Sequence, residues 1–171
     1  MDTISLIIHV TAAAILVGPQ VVMFFAVIPA TWFIEDEELK RNVTRTIAGR
    51  FGMLAGASIV VLLVTGLYQF YTAVPEEIQG DMMAYRFGTI FIVKMTMVTV
   101  LLGLILAHTM IYSRRITRLS DAVLAGEAEP GDVEYARRQS FGFSVFLLLA
   151  SVITLWLGVT LGHHDYSYVL Q

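Results

Sequence analysis

FGTIFIVKMTMVTVLLGLILAHTMIYS, residues 87–113, is the stretch on which the fold turns. About 20 apolar residues cover the ~30 Å hydrocarbon core of a bilayer, and this run exceeds that. It nevertheless carries Lys94 and His108. An ionisable side chain at such depth costs at least ~2.5 kcal/mol to insert, so it is expected to face the protein interior and to have a partner or a task.

Three further apolar runs of similar length lie at 4–33, 51–74 and 141–162. Apolar residues make up 57% of the 171-residue chain and charged residues 15%, well below the roughly 25% charged share of a soluble domain. The sequence therefore predicts one domain, 1–171, all-α: a polytopic membrane protein built as a four-transmembrane-helix bundle. The first run has no basic segment before it, and at about 30 residues it is too long for the core of a cleaved signal, so it is expected to stay as a helix. The absence of cysteine excludes disulfides, thiolate metal sites and cysteine-held iron–sulfur clusters. No Gly-rich phosphate loop, HExxH or GxSxG pattern is present, and no basic stripe interleaved with aromatics points to nucleic acid.

Along the chain, Asp2, Thr3 or Ser5 is the expected cap of the first helix. Pro19 should kink that helix, and Trp32 suits an interfacial belt. Residues 35–50 read as a charged connection containing a short surface helix, whose acidic start (Glu35, Asp36, Glu37, Glu38) suits a helix N-terminus. Gly52 and Gly56 form a GxxxG face for close helix packing, as a homo-oligomer or in a larger complex. Residues 114–140 read as a second basic connection.

Orientation follows from the cations. Lys40, Arg41, Arg45 and Arg50 lie in the first connection, and Arg114, Arg115, Arg118, Arg137 and Arg138 in the third. Only Arg86 and Lys94 lie elsewhere. The positive-inside rule puts both basic loops in the cytoplasm and both termini outside, as for the cytoplasmic membrane of a prokaryote. At 1.5 Å per residue, the outer half then collects His9, Lys94, Tyr68, Gln69, Arg86, His163 and His164, with His108 near the opposite face.

A neutral imidazole is the usual ligand of a b-type haem, and helix-bundle cores commonly hold haem. His9 is the first-choice ligand, with Ala12, Ala13 and Gly18 leaving room for a flat macrocycle. His163, His164 or Lys94 would complete the iron, Tyr68 and Arg86 would line the cofactor, and His108 would serve a second site. Arg86 and Tyr85 would meet the propionates. Copper on His9, His163 and His164, with Met82 and Met83 nearby, is the alternative. Methionines in an apolar helix are more often packing, and the charge of Lys94 opposes a cation path.

The string 9–18, HVTAAAILVG, resembles the first-helix motif of the CopD-like membrane proteins. The second run, from Arg50-Phe51 to Thr65-Gly66-Leu67, and the third, with Lys94 ahead of Arg114-Arg115, resemble the same superfamily's next two helices. That superfamily includes copper-resistance D domains and HemJ-type protoporphyrinogen oxidases, which bind haem b. The resemblance implies a four-helix core with His9 and Lys94 at its functional positions, Lys94 being the catalytic candidate of a membrane oxidoreductase acting on a quinol or porphyrinogen. Ile92 and the run 23–26 depart from the HemJ pattern, which has histidine or arginine there. The further fused helices and external copper domain of the copper-resistance proteins are not in this sequence.

Overall fold

The computed structural model describes residues 3–170; Asp2, one of the expected caps, lies outside them. Among the described residues the chain is all-α, with four helices long and apolar enough to cross a membrane. They are α1 (Thr3–Thr31), α2 (Glu37–Ala73), α3 (Arg86–Leu124) and α4 (Pro130–Gly162). Ser5 is no cap: it is buried inside the first turns, where its hydroxyl and carbonyl accept from the Gln69 amide at 3.4 and 3.2 Å.

The helices outrun the expected spans. Residues 35–50 are not a separate connection, because α2 starts at Glu37 and continues unbroken into the apolar run. Asp36 caps it by accepting from Glu38 N–H at 2.9 Å and Leu39 N–H at 3.1 Å. No proline follows to break the backbone ladder before Ala73. Similarly, α3 runs eleven residues beyond its apolar stretch, over Arg114–Leu124. It ends where Gly126 adopts φ 75° and Glu127 N–H reaches back to Ala122 O at 2.8 Å, a Schellman stop. Pro130 opens α4 at a position where its missing N–H costs nothing. A 37-residue helix is ~55 Å long, so three of the four project well past a ~30 Å core at the end rich in arginine. That is the basic end; the other, where Thr3 and Leu170 lie, is the terminal end.

Two helices contain π turns. In α1 the turn covers Met23–Val27, where Ile28 N–H bonds to Met23 O five residues back. Pro29 supplies the cause: it lacks the N–H that an α-helix would give to Phe25 O, and its ring crowds that carbonyl. The irregularity thus falls before Pro29, while the helix runs through Pro19. In α3 the π turn covers His108–Ser113.

Around the bundle, α1 packs along α2, α3 along α4, and α1 also meets α4. At the terminal end Phe70 of α2 stacks near Phe91 and Phe87 of α3, at 5.2 and 6.4 Å between ring centres. A small core of Ile78, Phe87 and Leu161 lies there. The tail folds over it: Arg86 N–H bonds to Val169 O at 3.0 Å, Tyr85 and Leu170 form one antiparallel bridge, and buried Ser167 donates to Leu161 O at 3.0 Å.

At the basic end the extensions of α2, α3 and α4 make a second, polar-locked core. Val133, Ala136 and Ser120 are at most 1% exposed. Arg137 grips Glu37 with two nitrogens, at 2.6 and 3.0 Å, while Ser120 donates to the same carboxylate at 2.8 Å. Arg41 pairs with Asp121, and Lys40 reaches Glu134 at 3.7 Å. The first turn of α2 lies outside the apolar span. Burial there would raise the Glu37 carboxyl, but Arg137, Ser120 and Lys40 together hold it below its ordinary range.

Candidate functional site

The polar residues at membrane depth sort into two groups. Near the terminal end, His9 of α1 is half-buried and directed at α2. Its Nδ1 lies 2.7 Å from Thr65 Oγ1. The Thr65 hydroxyl has one proton, which it gives to Val61 O four residues back at 2.6 Å. Thr65 therefore accepts from His9 Nδ1–H, and the proton on Nδ1 leaves the Nε2 lone pair without a hydrogen-bond partner among the described residues. Pinning one imidazole nitrogen by a hydrogen bond is how metal-ligating histidines are commonly oriented. Gly66 lets the ring lie close: a Cβ there would sit 3.4 Å from His9 Cε1.

Lys94 of α3 lies on the side of α4. Its stem and ammonium lie against Gly158 of α4, where an added Cβ would come within 3.4 Å of Nζ. Among the described residues Lys94 makes no hydrogen bond or ion pair. All four helices thus contribute: His9, the Thr65–Gly66 pair, Lys94 and Gly158. Gln69, one turn from Thr65, ties α2 to α1 through Ser5.

The other residues expected at this level do not join the group. Tyr68 is exposed on the outside of α2, 46% accessible. Arg86 is at the surface with its guanidinium 5.2 Å above the Tyr166 ring. His163 and His164 are exposed at the end of α4, and the His164 ring stacks on Tyr168 at 4.6 Å. Among the described residues no three His, Cys, Asp or Glu side chains gather as a metal-binding set.

His108 forms the second group, on the π turn of α3. Its Nε2 lies 3.0 Å from Ser140 Oγ and 3.3 Å from Ser144 Oγ on α4. Its ring stacks on Phe143 at 5.6 Å and lies near Tyr112. With Nε2 engaged by two serines and its ring clustered with Phe143 and Tyr112, His108 fastens α3 to α4. Ser140 and Ser144 are one turn apart on α4, which is the spacing that lets both reach one imidazole. Ser140, Ser144 and Gly158 were not singled out by sequence, and Thr65 entered only as part of the Thr65-Gly66-Leu67 string and not as a partner of His9; the signal available was their polarity or smallness inside apolar runs.

A b-type haem needs from the protein at least one basic imidazole nitrogen, apolar surroundings and cations near its carboxylates. Of the residues here, His9 Nε2 is the nitrogen that could ligate and Lys94 the cation that could face a carboxylate. No family model, no curated protein and no solved structure matches this chain.

Proposed function

We propose that the protein is a b-type haem protein of a prokaryotic cytoplasmic membrane, with both termini outside and the basic end in the cytoplasm. Its task is redox: passing electrons between a small reductant, such as a quinol or porphyrinogen, and an acceptor. The observation that carries this reading is the pinned imidazole of His9, with Nδ1 committed to Thr65 and Nε2 left to ligate. The haem would supply one-electron transfer. His9 would hold it, and Thr65 would fix the tautomer and the plane of the ring.

Lys94 supplies a positive charge in a medium where an unpaired ammonium is costly. It suits a carboxylate of the cofactor or of an anionic substrate. As the one amine at that depth, it is also the group able to move a proton to or from a bound substrate. The resemblance to CopD-like proteins, on the strings around His9 and Lys94, supports assigning the work to these two positions. A copper ion usually takes several protein ligands, whereas haem can be held by one or two, so the donor set favours haem.

A second reading is that the chain packs against another helix through α2. It is favoured by Gly49, Gly52 and Gly56, where a Cβ would meet nothing of this chain within 4 Å. Cross-linking through a cysteine placed at Met53 would report that contact.

The test of the first reading is a visible spectrum of the detergent-purified protein from haem-supplied cells, oxidised and then dithionite-reduced. Sharp α and β bands that vanish in His9→Ala and persist in His108→Ala are expected. A colourless wild-type protein refutes it.

A further inference from the structure

We propose that the face of α3 just below its apolar stretch is a binding site for the phosphodiester head group of an anionic phospholipid, gripped by Arg114 and Arg118. The inference does not depend on the haem reading. A groove of about 340 Å³ is lined by Met110, Ile111, Arg114, Arg115, Arg118 and Leu119. A second, of about 350 Å³, lies beside it and shares Arg114 and Arg118 with the first. Its other walls are Thr109, Ser113 and Thr117. The two arginines thus line both of these shallow, open surface grooves.

The cations of the basic end divide by partner. Arg41, Arg137, Arg138 and Lys40 face Asp121, Glu37 or Glu134. Arg115 donates to the Gln139 side chain at 3.0 Å. The Arg114 and Arg118 side chains have no ion pair or hydrogen bond among the described residues. Four residues apart on a helix, their stems start ~6 Å from each other, so both guanidinium groups can close on one phosphate, each with two N–H donors.

The groove also has an apolar upper half. Met110 is 55% and Ile111 59% exposed, and Leu106, one turn above Met110, is 62% exposed. These side chains continue the lipid-facing surface of the span directly into the arginine pair. A free phosphate ion would have no use for that apolar wall, whereas a phospholipid would lay an acyl chain on it with its head group at the arginines. The arginines begin where the apolar run stops, at the level of the head groups.

The test uses the full chain reconstituted in phosphatidylcholine bilayers, with spin-labelled phosphatidylglycerol or phosphatidylcholine as probe. The fraction of motionally restricted label gives the relative association of the two lipids. Each arginine near the surface should contribute roughly fivefold toward the anionic lipid. The wild type is expected to prefer phosphatidylglycerol, and R114Q/R118Q to lose most of that preference. R45Q/R50Q removes the same net charge from α2 and is expected to keep it. If R114Q/R118Q does not fold, R118Q alone serves, with about half the loss on a logarithmic scale. Three results overturn the proposal: no wild-type preference, equal losses in the two double variants, or abolition of the preference by inorganic phosphate at constant ionic strength. The last would mean a free-anion site.

Discussion

Replacing Arg137 by methionine should cost far more than replacing Arg137, Glu37 and Ser120 together. Arg137 and Glu37 are 16% and 20% exposed at their side chains, and the carboxylate takes three hydrogen bonds, two of them from the guanidinium. Breaking a fully buried ion pair from one side costs about 3–5 kcal/mol, because the surviving charge is left desolvated. With roughly a fifth of each side chain still accessible, about 2–3 kcal/mol is the reasonable expectation for Arg137→Met. Removing both charges, as E37L/R137M, abolishes the stranded carboxylate. It also orphans the Ser120 hydroxyl, which is 1% exposed and gives its proton to Glu37, at about 1–2 kcal/mol. Adding Ser120→Ala should recover that amount, bringing the triple variant to within about 1 kcal/mol of wild type. Reversible unfolding by SDS mole fraction in mixed micelles, followed by circular dichroism, measures each step. A cost below about 0.5 kcal/mol for Arg137→Met, or a triple variant as unstable as the single, would refute the claim that this cluster locks the three helices at the basic end.

Three further outcomes follow from the same geometry. Thr65→Val keeps the shape but removes the acceptor for His9 Nδ1–H; haem affinity, measured by transfer to apomyoglobin, should fall about 10- to 100-fold, and an unchanged rate and affinity would count against the pinned-ligand reading. Gly88→Ala puts a Cβ into the Met82 backbone carbonyl and should destabilise by about 1–3 kcal/mol, whereas Gly52→Ala in the monomer meets open space and should be neutral or stabilising by up to about 1 kcal/mol; thermal melts in detergent separate the two. Glu37 has a folded pKa below its unfolded value, so its contribution is complete above that unfolded value and is lost as pH falls through the folded one. Stability should therefore drop as pH falls below about 4.5, the carboxyl's ordinary value, with a slope that Glu37→Gln lacks.

The four spans were legible because apolar run length reports the thickness of a bilayer directly. The lengths of the helices were not. Hydropathy marks where a chain leaves lipid, and residues 37–50 and 114–124 leave lipid without leaving the helix. Only breakers reveal a helix end, and the informative ones were Asp36, Gly126 and Pro130. At the candidate site, depth counting placed His9 and Lys94 at one level; the structure sets His9 against Thr65 of α2 and Lys94 against Gly158 of α4. Depth says nothing about azimuth, however, and azimuth is what sets Tyr68 on the outside of α2. The Glu37–Arg137 pair joins residues a hundred positions apart, and with nine acids and nine cations in the two basic connections no rule of local spacing could have selected it.

The π turn at His108–Ser113 makes the length of α3 negotiable at one place only. A π turn holds one residue more than the α-helix that would join the same two ends. Deleting a single residue between Thr109 and Tyr112 can be absorbed by closing the bulge, with both flanks kept in place. The same deletion between Met97 and Gly103 would turn everything below it by about 100° and draw it up by about 1.5 Å, taking Ser120 away from Glu37 and Asp121 away from Arg41. Natural variation in chain length should therefore be tolerated at the turn and excluded from the span above it, and a series of one-residue deletions scored for folding would draw that boundary.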